Sequence, residues 1–151
     1  MRCLPLALLL AAPAAAEFLE IRMQFVDSGC VPCTESLKPR LERVRGVEEV
    51  AVDLEAGAVW LKLAEDNRVR LKPLLARVEQ DGTQIAALEA VAKGAVKERD
   101  GSLVLTLDGL EEEYRLEAED ALPRPGAAVV EGRIEEAESP TPVLHVEAVR
   151  R

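Results

Sequence analysis

Along residues 20–90 the apolar positions change period in a set order, from two to about 3.6 and back, and few folds satisfy that order. Ile21, Met23 and Phe25 alternate with Arg22 and Gln24, as a half-buried strand requires. Cys33, Leu37, Leu41 and Val44 then fall at helical steps, with Pro32 suited to the first helical position and Gly46 to the end. Pro39 cannot donate to the carbonyl of Glu35, so a local bend is expected there, and the apolar stripe continues past it. Val50, Val52 and Leu54, the turn Glu55-Ala56-Gly57, and Val59, Leu61 and Leu63 predict a hairpin with one apolar face. Leu71, Leu74, Leu75 and Val78 predict an amphipathic helix closed by Asp81-Gly82. A last alternating stretch starts near Thr83, although Ile85 to Val91 reads equally as a helix fragment. Two helices on one face of a four-stranded antiparallel sheet bury the apolar sides of all these elements. The fold class expected is therefore α+β, with a ferredoxin-like βαββαβ module over residues 17–94.

From Ala95 the pattern is short and alternating: Leu103, Leu105 and Leu107, then Tyr114 and Leu116, then Val130 and Ile134, then Leu144 and Val146, punctuated by glycines and prolines. This predicts a small all-β C-terminal module over residues 95–151. So short a segment is marginal as a separate core, so it should pack on the first module. Trp60, which pleating sends to the face opposite Val59 and Leu61, is the expected docking point. Residues 95–151 carry 14 acids and 7 bases against 14 and 11 in residues 17–94, so the second part is the acidic one. An acidic chain is a poor binder of nucleic acid or anionic lipid, and neither is expected as a partner.

Residues 1–16 have a single Arg, a short apolar run and an Ala14-Ala15-Ala16 end ahead of Glu17. This predicts a signal peptide and an exported protein, periplasmic or extracellular, with no membrane span in its mature form. Cys3 would leave with the leader, so Cys30 and Cys33 would be the remaining thiols.

Those two thiols sit three residues apart where the first strand hands over to a helix. Helix N-termini present free N–H groups and partial positive charge, which favour thiolates. Thiolates are soft ligands, and a pair of them best suits a linear two-coordinate ion, so Cu(I) leads, with Hg(II) or Zn(II) possible. His145, the single histidine, is expected to be a surface residue. The same Cys-x-Pro-Cys arrangement also serves thiol–disulfide exchange, and a binding or assembly protein with a vestigial site is a third reading. Nothing else in the chain has the pattern of a catalytic set, and no enzyme is expected outside the redox alternative.

Gly29-Cys30-Val31-Pro32-Cys33, then Arg45-Gly46-Val47-Glu48-Glu49-Val50-Ala51-Val52, then Leu74-Leu75-Ala76-Arg77-Val78 resemble the heavy-metal-associated domain family. That family includes copper chaperones, modules of metal-transporting P-type ATPases and periplasmic mercury-binding proteins. The resemblance covers roughly residues 20–90 and implies that Cys30 and Cys33 are metal ligands, with a donor or acceptor metal-trafficking protein as partner. Two positions depart from the family pattern: Ser28 stands where a Met is usual, and Thr83 where an aromatic residue is common. Both make the loop's surroundings more polar.

Overall fold

The computed structural model describes residues 15–26 and 31–150, with the backbone alone for residues 31–34. Residues 1–14 of the expected leader and Cys30 lie outside the described residues. The first six elements are β1 (Glu17–Phe25), α1 (Val31–Glu42), β2 (Val47–Asp53), β3 (Ala58–Leu63), α2 (Leu71–Glu79) and β4 (Ile85–Arg99). Their strands lie in the order β2-β3-β1-β4, all antiparallel. Ile21 sits opposite Leu61 and Ala90, and Met23 opposite Val59 and Leu88, so the apolar residues of three strands share one face. Leu37 and Leu41 of α1 and Leu71, Leu74, Leu75 and Val78 of α2 are buried in the same core. This is the ferredoxin-like arrangement, and α1 runs through Pro39 as the apolar stripe predicts.

Leu54 departs from the expected hairpin. It is exposed, because the strand stops at Asp53, whose Oδ1 accepts the N–H groups of Glu55 and Ala56 and turns the chain early. The ambiguous stretch from Ile85 to Val91 is strand, and it continues far beyond a four-stranded sheet, 15 residues in all. β4 pairs with β1 through residues 85–93, and from Ala95 the same edge takes up β5 (Ser102–Leu107). Its other edge pairs with β7 (Gly126–Glu135) from Glu89 to Val96. With β6 (Glu112–Glu117) and β8 (Val143–Arg150) the pairings close a ring, β4-β5-β6-β8-β7-β4, in which only β6 and β8 run parallel. Gly94 lies in mid-strand where the partner changes from β1 to β5, and a Cβ there would meet the Thr106 carbonyl oxygen at 2.5 Å. Glycine lets the strand bend from sheet into ring.

The two halves therefore join through a common strand, and the expected docking across the open sheet face is not what holds them. Trp60 is half-buried on that face, beside Glu20, Arg22 and Glu131. The β4 register places β7 beside the first sheet, and Glu131 of β7 borders the cavity that Trp60 lines. Residues of both halves belong to one continuous core. Phe18, 1% exposed, meets Tyr114 edge-on at 5.8 Å between ring centroids. Burial of such a ring contributes about 2–3 kcal/mol and the aromatic pair about 1 kcal/mol more, so apolar contact dominates the junction.

Polar groups then set its geometry. Glu17 is 1% exposed, yet its carboxylate accepts from Asn67 N–H at 3.0 Å and meets Lys93 Nζ at 2.9 Å. Asn67 Nδ2 in turn donates to the carbonyls of Phe18 and Ala64, so β1, β4 and the β3–α2 connection are tied at one point. Glu112 of β6 accepts the N–H of Leu71, an otherwise unpartnered donor in the first turn of α2. It also accepts the Tyr114 hydroxyl at 3.0 Å. Burial pushes the Glu112 carboxyl above its usual range, and the Tyr114 hydroxyl, the Leu71 N–H and the charges of Arg70 and Lys72 only partly offset this. A folded-state value above the unfolded one means that the stability this group contributes is complete below the ordinary 4.5 and is lost as pH rises through the raised value. Glu112→Gln imitates the protonated side chain. Thermal unfolding should therefore show wild type gaining on Glu112→Gln as the pH is lowered from neutrality to about 4, and a difference constant across that range would contradict the assignment.

Candidate metal centre

The candidate site lies between the end of β1 and the start of α1. β1 ends with Phe25 N–H donating to the Gly57 carbonyl at 2.9 Å, and Val26 N–H donating to the Gln84 carbonyl at 3.0 Å. α1 begins at Val31 immediately after Cys30, and Cys33 lies within its first turn. Cys30 itself is outside the described residues, and Cys33 is described by its backbone alone. Leu37 and Leu41, four and eight residues beyond Cys33, are both 1% exposed. The first turn of α1 holds no acidic residue, so no carboxylate competes there for the positive end of the helix.

The turn between α2 and β4 braces α1 from the side. Arg40 Nη2 meets Asp81 Oδ2 at 2.8 Å, while Asp81 Oδ1 accepts from the Thr83 hydroxyl at 2.6 Å and from Thr83 N–H at 3.2 Å. The Thr83 hydroxyl is the main reason that the Asp81 carboxyl titrates below its usual range, with Thr83 N–H and Arg40 adding to it. Thr83 thus ties down the turn whose next residue, Gln84, holds Val26. Its polar side chain is a structural part of the frame around the loop. Spacing could not reveal this, but the run Asp81-Gly82-Thr83 carries the signal of an Asx turn.

Among the described residues no group of three or more His, Cys, Asp or Glu side chains could hold a metal ion. His145 is half-buried, with Nε2 3.1 Å from Glu135 and Nδ1 3.9 Å from Glu117, so its two nitrogens face separate carboxylates. It is a strand residue set between two carboxylates. No described helix is long and apolar enough to cross a membrane.

Two solved structures are similar to part of the chain. A copper binding domain from HMA7, a P-type ATPase, is 19% identical with a TM-score of 0.39, covering 48% of this chain and 92% of its own. A putative copper-ion-binding protein from Bacillus anthracis str. Ames is 28% identical with a TM-score of 0.38, covering 48% of this chain and 97% of its own. No family model matches the chain. No curated protein matches it either.

Proposed function

We propose that the reduced chain holds one soft metal ion, Cu(I) before Hg(II) or Zn(II), between the thiolates of Cys30 and Cys33, for trafficking or scavenging in the exported compartment that the leader implies. The observation that carries this reading is the position of the pair: both cysteines stand where β1 passes to the N-terminus of α1 in a βαββαβ sheet. A helix N-terminus is partly positive and favours thiolates, and the β1 end of the loop is held by Val26 on Gln84. Two thiolates satisfy a linear ion, whereas tetrahedral zinc needs two ligands more. A donor or acceptor protein with a matching thiol pair would complete the transfer. Anaerobic titration of the reduced protein with Cu(I), against a coloured chelator, should show one equivalent withdrawn per chain. A titration in which the chelator keeps all of the copper would refute the proposal.

A further inference from the structure

β8 offers a second binding surface, remote in sequence from the cysteine loop. β6 and β8 run parallel and pair only from Arg115 opposite Val143 to Glu117 opposite His145. β6 ends there, and the chain from Ala118 to Ala121 leaves the sheet, while β8 continues to Arg150 with β7 alone beside it. Among the described residues the edge of β8 from Val146 onward is therefore unpaired on one side. Between that edge and residues 118–121 the two segments splay apart around a groove of about 740 Å³. An open strand edge is a row of N–H and C=O groups that a further strand can extend.

The groove also states what such a strand should carry. Glu119, Asp120 and Glu147 line it and have no ion-pair partner among the described residues. Arg133, the cation that lines the groove, contacts Glu135 at 3.2 Å. Val149 lines the groove with 41% of its surface exposed, and Leu122, next in sequence to the lining residue Ala121, is 42% exposed. These are two of the four large exposed apolar residues among the described residues. Unpaired carboxylates and exposed apolar side chains beside one free strand edge fit a ligand that carries both cations and apolar side chains.

We propose that the free edge of β8 takes up an extended segment of a partner protein, one that carries Lys or Arg together with branched apolar residues. Its backbone would extend the sheet, its cations would meet Glu119, Asp120 and Glu147, and its apolar side chains would cover Val149 and Leu122. The surface does not depend on the cysteines.

The test uses the full chain and a labelled eight-residue peptide alternating Lys and Val, read by fluorescence anisotropy. Binding should weaken as salt is raised. It should fall by at least about tenfold for a peptide alternating Glu and Val, and equally in the double variant Glu119→Lys, Asp120→Lys, whose sites are exposed. A Lys-Val peptide N-methylated at every second residue should also fail, because methylation removes the donors of one edge and leaves charge and side chains intact. Equal binding of the methylated peptide would reduce the contact to charge alone and overturn the strand reading. Equal binding of the acidic peptide would overturn the stated chemistry. Concentration-dependent dimerisation of the free chain, lost on adding the Lys-Val peptide, would assign the edge to a second copy and reject a separate partner. Retention of Cu(I) should be the same with and without peptide, so either reading can fail alone.

Discussion

Cys30→Ser and Cys33→Ser should each release Cu(I) at chelator concentrations at which the unaltered chain retains one equivalent. A serine hydroxyl is a hard donor that stays protonated at neutral pH, so each variant is left with one useful ligand. If two thiolates share a binding free energy of about 10 kcal/mol, the loss of one removes roughly half, which exceeds a thousandfold in affinity. Unchanged affinity in both variants would exclude the pair as the site, and unchanged melting curves would show that a lost affinity reflects ligation and not folding.

Gly132→Ala should be the most destabilising single methyl addition in the ring. Gly132 sits at the irregularity between β7 and β8, where Val146 is its partner and Glu131 pairs with Ala148. A Cβ at that position would run into the backbone carbonyl of His145, atoms that no rotamer change can move aside. Either β8 moves or its pairing with β7 opens. The expected cost is about 3 kcal/mol or more, at the upper end for overpacking, because backbone gives less readily than a side chain. At Gly82, where the same test finds nothing within 4 Å, the penalty comes only from its φ of +88° and should be smaller, near 1 kcal/mol. Chemical denaturation of both variants measures the difference, and equal midpoints would contradict the packing argument.

The first five elements were legible because each keeps a single period. Ile21, Met23 and Phe25 leave no choice but a strand, and Leu71, Leu74, Leu75 and Val78 none but a helix. Legibility failed where small residues suit both periods, as in Ile85-Ala86-Ala87-Leu88. There the decision belongs to pairing partners, β1 on one edge and β7 on the other. Gly94 illustrates the same limit, since a mid-strand glycine and a boundary glycine look alike until the Thr106 carbonyl is seen beside it. The ring needs β7 to return to β4 and β6 to meet β8 in parallel, contacts between distant segments that local patterns do not encode. Glu17 is a further case. At the start of a strand an acid suggests solvent, and only the fold supplies Asn67 and Lys93 to receive it. The paired cysteines were found by spacing, and their frame, Val26 on Gln84 and Arg40 on Asp81, needed the tertiary structure.

The double use of β4 has a consequence during synthesis. When residues 85–99 have been made, their β1 edge can close at once, because β1 already exists. The opposite edge has to wait for residues 126–135. At cellular elongation rates that delay is on the order of seconds, long compared with the microseconds in which strands find one another. Throughout it the nascent chain displays Ala90, Val91 and Ala92 on a bare edge, open to pairing with another nascent chain. Yield should therefore depend on how quickly β7 follows, a burden that falls on translation and chaperones and leaves no trace in the finished fold.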